Sequence, residues 1–216
     1  MPASTVAAVL AATAPLATAA VEFALMEHIG DGMYGDDNAA HVWMSQEIPE
    51  HRGSEFDAFI ALDNFSTTRD VTLTRLQVMA VTNTYSFDDL TFRVSVFSSL
   101  DAAASSVIGD VYSAEFEQPT ASVGGFWLDF DISADIGPGD YWISVIATSE
   151  TNQFWIYPSY LGDRTAFVVR VPDGLATAIL AQGGPADLAY NLYAIPTPGT
   201  AATLALAGLA AARRRR

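Results

Sequence analysis

"FWLDFDISADIGPGDYWISVIA", residues 126–147, decides the fold. Phe126, Leu128, Phe130 and Ile132 alternate with Trp127, Asp129, Asp131 and Ser133. After the turn residues Gly137-Pro138-Gly139-Asp140 the alternation resumes as Tyr141, Ile143, Val145 and Ala147. A period of two belongs to a β-strand, whose successive side chains point to opposite faces, whereas a helix repeats its apolar residues three and four apart. Acids on one face and apolar groups on the other make each strand half-buried, so the sheets are expected to pack face to face. Gly139 suits the turn and Tyr141 opens the next strand.

Working outward, "LTFRVSVF" (90–97) sets Leu90, Phe92, Val94 and Val96 against Thr91, Arg93 and Ser95. "VTLTRLQVMAV" (71–81) begins with Val71 and Leu73 inward but continues with Leu76, Val78 and Ala80. The phase slips at Arg75, and one extra residue, as in a β-bulge, would restore the inward face. Further strands are expected over 41–48, 56–62, 110–116, 153–157, 167–171 and 188–194, with turn chemistry at Gly124-Gly125 and Gly183-Gly184-Pro185. Residues 173–182 read either as a short helix capped by Asp173 and stopped by Gly183 or as a strand. About nine or ten short strands at this spacing predict an all-β fold, an antiparallel β-sandwich of jelly-roll-like form, over residues 21–194.

Composition sets the partners. Half of the 216 residues are hydrophobic, ample for one core. All ten basic residues are arginine and four of them are Arg213 to Arg216, which leaves six arginines among the 25 acidic residues of the body. That field repels nucleic acid, because phosphate binding needs cationic side chains to replace counterions. High acidity without lysine also suits a salty medium, where carboxylate repulsion is screened. With no cysteine, a disulfide scaffold, a Cys-ligated zinc site and thiol catalysis are excluded.

The two ends read as addresses. Residues 1–20, "MPASTVAAVLAATAPLATAA", are apolar, free of acids and end in small residues, with Ala17-Thr18-Ala19 as a small-x-small cleavage site; this is the build of a signal peptide without the usual positive start. Residues 195–216 run "IPTPGTAATLALAGLAAARRRR". Ala201 to Ala212 would span about 18 Å as a helix, short of the roughly 30 Å hydrocarbon core. The arginines behind it would hold the C-terminal side in the cytoplasm. Pro196-Thr197-Pro198-Gly199-Thr200, then a short Ala/Leu/Gly helix, then Arg213, Arg214, Arg215 and Arg216 resembles the PEP-CTERM sorting signal of exported bacterial proteins, with Thr197 where that family has Glu. The resemblance implies recognition by an exosortase-type membrane enzyme, transient inner-membrane contact through the C-terminal helix, and delivery to the cell envelope, cell surface or extracellular polysaccharide of a biofilm. Residues 130–147 are likewise similar to the Gly-x-Tyr-Trp strand openings of sandwich domains that precede such tails.

Candidate chemistry is sparse. "IGDGMYGDDNAAH" (29–41) gathers Asp31, Asp36, Asp37 and Asn38, hard oxygen donors suited to Ca²⁺, although the spacing is not that of an EF-hand. Asp129, Asp131, Asp135 and Asp140 form a second acidic group on a polar strand face. His28, His41 and His51 have no metal-binding spacing, no G-x-S-x-G elbow supports a serine nucleophile, and among 25 acids a glycosidase pair cannot be singled out. Trp127, Trp142 and Trp155 lie opposite the best apolar pattern of their strands, where exposed rings could stack on sugars. The resulting expectation is an exported, non-enzymatic surface or matrix protein that needs no cofactor. A carbohydrate-binding module and a small extracellular hydrolase are the alternatives.

Overall fold

Strands form where the alternation predicts them. The computed structural model describes residues 20–29, 43–47, 58–84, 86–117, 119, 121–123, 127–149, 152–171, 174, 176–181 and 184–197. In chain order the elements are β1 (Phe23–Glu27), β2 (Trp43–Met44), β3 (Gln46–Glu47), β4 (Ala58–Thr67), β5 (Val71–Thr82), β6 (Thr91–Phe97), α1 (Leu100–Ser105), β7 (Tyr112–Phe116), β8 (Ala121–Val123) and β9 (Trp127–Ile136). They continue as β10 (Gly139–Thr148), β11 (Phe154–Ile156), β12 (Pro158–Ser159), β13 (Phe167–Val171), β14 (Ala176–Ala178), β15 (Leu180–Ala181), β16 (Gly184–Pro185), β17 (Asp187–Leu188) and β18 (Tyr190–Pro196). Among the described residues the fold is all-β apart from one short helix.

Two seven-stranded sheets carry the fold. The first runs β1-β18-β5-β11-β2, with β9 also paired to β5 and β8 to β9; the second runs β14-β13-β4-β3-β10-β6-β7. In the second sheet β4 and β10 pair directly from Thr67↔Gly139 to Asp63↔Ile143, then part to admit β3, which lies parallel to β10 and antiparallel to β4. Gly137-Pro138 does not close a hairpin. β9 belongs to the first sheet and β10 to the second, so the turn carries the chain between sheets, braced by Tyr141 Oη donating to Gly137 O at 3.1 Å.

The inward faces of both sheets form one core. Leu73, Leu76 and Val78 of β5 and Leu128 and Phe130 of β9 join Phe92, Val94 and Val96 of β6 and Ile143 and Val145 of β10. Phe92 is its aromatic hub, with ring centroids 5.5 Å from both Phe130 and Phe154 and 6.3 Å from Phe87. Each buried side chain of this size contributes roughly 1.5–3 kcal/mol. The expected slip in β5 is present: Val71 and Leu73 are buried, Thr74 and Arg75 are not, and burial resumes at Leu76, Val78 and Ala80. The register to β9 shifts between Leu73 and Arg75, and that to β18 shifts opposite the same residues.

The helix was not legible in the alternation. Ser99 caps α1 by accepting from Ala102 N at 3.1 Å, and Leu100, Ala102, Ala103 and Ala104 cover Ile60, Leu62, Phe97, Ile146 and Val169 on the outer face of the second sheet. The chain leaves α1 through Gly109, where a Cβ would lie 2.4 Å from Val96 O. Of the two readings for 173–182 the strand is the one found, as β14 and β15. The strand expected to stop at Ala194 continues to Pro196. The signal segment, apart from Ala20, and the C-terminal sorting helix lie outside the described residues, among which no helix is long and apolar enough to cross a membrane.

Phe92→Ala should cost about 3–5 kcal/mol in urea unfolding, from the lost transfer energy and the cavity left among three rings. Tyr190, fully buried, accepts from Val145 N at 3.3 Å, and burial holds its phenol well above the ordinary tyrosine range. The unfolded chain therefore releases this proton first, and stability present below about pH 10 is lost as pH rises beyond it. In Tyr190→Phe, unfolding free energies measured on either side of pH 10 should fall less steeply with pH than in the wild type.

Candidate functional site

Asp63 breaks the apolar pattern of β4. It shares the inward face with Ala61 and Phe65, and it is completely buried. Burying a carboxylate is costly unless it is paired and hydrogen-bonded, and Asp63 is both. His28, just past β1, places Nδ1 2.9 Å from Asp63 Oδ2; the same oxygen accepts from Leu188 N at 3.0 Å, while Oδ1 accepts from Asn64 N at 3.0 Å. His28 is itself fixed by its backbone N–H, which donates to Tyr190 O at 2.8 Å.

The second buried acid is Asp187, on β17 next to β12. Its Oδ2 accepts from Arg164 N at 2.8 Å and its Oδ1 from Thr165 N at 2.9 Å. Arg164 adopts φ 63° to aim those successive amides, a left-handed conformation that costs a non-glycine residue of order 1 kcal/mol and makes an anion-binding nest with its neighbour. Gly162 lies over the pair: a Cβ there would fall 2.3 Å from His28 Nε2 and 2.5 Å from Asp187 Oδ2. Only glycine fits so close. Asp163 ties the same exposed loop to β4, accepting from Thr165 Oγ1 at 2.6 Å and from Asn64 Nδ2 at 3.1 Å.

Two buried carboxylates and one imidazole make the electrostatics of the site. Burial pushes Asp63 up to about 6 against the opposing hydrogen bond and charge of His28. Burial also raises Asp187, against its two amide donors. For His28, burial favours the neutral ring but is outweighed by the hydrogen bond and charge of Asp63 and the charges of Asp187 and Asp163, so its pKa is raised. Among the described residues no arginine pairs with Asp63 or Asp187.

This cluster was missed in the sequence because its members are 35 and 124 positions apart from one another along the chain. One signal was available: Asp63 stands in phase with the inward residues of "AFIALDNF", where an acid must be paired. Of the three histidines only His28 is described; His41 and His51 lie outside the described residues, as do Asp31, Asp36, Asp37, Asn38, Pro198, Gly199, Thr200 and Arg213 to Arg216. Pro196 is still in β18, opposite Val71, and Thr197 N donates to Asp70 O at 3.2 Å.

The three candidate tryptophans, Trp127, Trp142 and Trp155, do not share one surface. Trp142 faces the outer side of the second sheet, 5.7 Å edge-on to Phe167 and against the cluster under α1. Trp127 and Trp155 lie on the outer face of the first sheet, opposite Met79 and Val81 of β5. Beside them runs a polar row in which Gln77 Nε2 donates to Asp129 Oδ2 at 3.2 Å and Tyr193 Oη donates to Gln77 Oε1 at 3.2 Å, with the Arg75 guanidinium 4.2 Å over the Tyr193 ring. Of the second acidic group, Asp135 accepts from Thr72 Oγ1 at 2.5 Å and Asp140 is exposed.

Compared with known proteins, the chain matches no protein family and no curated protein.

Gly162→Ala should destabilise the fold by about 1–3 kcal/mol, as overpacking does. The check is thermal and urea unfolding beside Gly137→Ala, whose added Cβ meets nothing closer than 3.7 Å.

Proposed function

We propose that the chain is an exported, non-enzymatic protein of the cell surface or extracellular matrix, a jelly-roll-like β-sandwich with a structural or adhesive role, sorted through its PEP-CTERM-like tail by an exosortase-type enzyme. The sandwich reading is supported by two sheets that share one core. The observation that carries the sorting reading is the hand-over from fold to tail. Pro196 is held opposite Val71 and Thr197 is bonded to Asp70, so residues 198–216 follow directly from a strand inside the first sheet. Processing beyond that point would leave the core strand intact, and the acidic, lysine-free body suits a hydrated exterior.

Carbohydrate binding is the second reading, and it is favoured by one surface only. Trp127 and Trp155 flank β5 on the same outer face, next to the Gln77–Asp129 row. Aromatic rings beside amide and carboxylate groups match the apolar faces and hydroxyl edges of a sugar. The hydrolase reading gains nothing from Asp63 and Asp187, which are buried and engaged by backbone amides and His28.

Intact-mass analysis of the mature protein from its native host tests the first reading: the expected mass lacks residues 1–20 and the Arg213–Arg216 cluster, and recovery of a C-terminus still carrying Arg216 would overturn it. For the second, polysaccharide pull-down should be lost in Trp127→Ala and Trp155→Ala and kept in Trp142→Ala. Equal binding by all three variants would remove the proposed platform.

A further inference from the structure

We infer that His28, Asp63, Asp187 and Asp163 form a proton-operated latch, which holds the 160–166 loop against the two sheets in mildly acidic medium and releases it as the medium turns alkaline. Four separate pieces of chain meet in it: the end of β1 supplies His28, β4 Asp63, β17 Asp187 and the exposed loop Asp163. The polar atoms of the first three lie within 4.8 Å of one another, and both Asp63 and Asp187 are completely buried. Only the exposed layer from Gly162 to Thr165 separates them from water.

Charge decides how such a cluster can exist. Three carboxylates surround one imidazole, so even a protonated ring leaves an excess of negative charge, and buried charge of one sign is costly. Among the described residues no other cation compensates it. Arg164 turns its guanidinium over the Tyr160 ring, 5.4 Å from the centroid, and gives Asp187 only its backbone N–H. Tyr190 of β18 faces Asp63 as a neutral phenol, and β12, Pro158–Ser159, brings no titratable group. Nor does an ion fit, because Gly162 closes the space beside His28 Nε2 and Asp187 Oδ2 and leaves room for glycine alone. Protons are the counter-charge that remains.

The three buried groups agree in sign. Burial raises Asp63 to about 6 and raises Asp187 as well, while for His28 burial is outweighed by Asp63 and the ring is also raised. Each therefore holds its proton more tightly with the loop closed. Its contribution is complete below the ordinary value, 3.8 for the acids and 6.5 for the ring, and is lost as pH rises through the raised one. Asp163, lowered by Thr165 and Asn64 against burial, stays ionised throughout this window. As Asp187 and Asp63 come to repel each other, the left-handed Arg164, φ 63°, relaxes on opening.

Arg164 N and Thr165 N donate to Asp187, so their hydrogen exchange reports the latch. The test follows both amides in the full chain by NMR from pH 5 to pH 8, corrected for intrinsic exchange, with Met79 N, bonded to Ala189 O, as the reference. Protection relative to Met79 should fall about tenfold or more across that range, and the His28 ring ¹⁵N shifts should report loss of its proton over the same interval. Asp63→Asn, neutral at every pH, should keep both loop amides protected at pH 8, and His28→Gln should move the fall toward acid. Where a variant does not fold, the wild-type profile decides. Relative protection that is flat or rises with pH, or a wild-type profile in Asp63→Asn, overturns the proposal.

Discussion

The hydrogen-bonded ladder along β5 is the constraint on which the rest of the structure depends. This strand pairs with β18, β9 and β11, so any error in its register would be passed to three neighbours. A one-residue slip in a half-buried sheet turns every inward side chain outward. The irregularity between Leu73 and Arg75 prevents this by absorbing the change of phase locally, keeping Val71 and Leu73 on the same side as Leu76 and Val78. Its other side is equally determined, because Arg75, Gln77 and Met79 are placed outward by the same bulge and build the polar and aromatic face of the first sheet.

The second sheet solves a different problem. Its middle strands are covered on both faces, by the shared core on one side and by α1 on the other, so alternation alone does not describe them. That is why β9, with acids on its outer face, could be read on both faces, whereas the alternation of β10 picks out Tyr141, Ile143, Val145 and Ala147 but does not show that Trp142 and Ile146 pack in the cluster beneath α1. The helix has only six residues, too few for a helical period to stand out. The insertion of β3 between β4 and β10 was also beyond reach, since a parallel two-residue pairing is set by the rest of the fold and not by its own sequence.

The site shows the same limit more sharply. Each of its parts has a local cause: a strand phase that turns Asp63 inward, a left-handed Arg164 that aims two amides, a glycine that leaves room for a ring. None of them announces the others. Asp187 reads as one more acid among many until β17 brings it under the 160–166 loop, and His28 as an isolated histidine until the end of β1 brings it to β4.

The pairing of Pro196 within β18 also has a mechanical meaning. β18 lies between β1 and β5 and is bonded to both. A pull on the tail along the strand axis would load these bonds side by side, in shear, rather than peel them one at a time. Any load applied at Pro196 would therefore meet the whole ladder at once rather than its last rung.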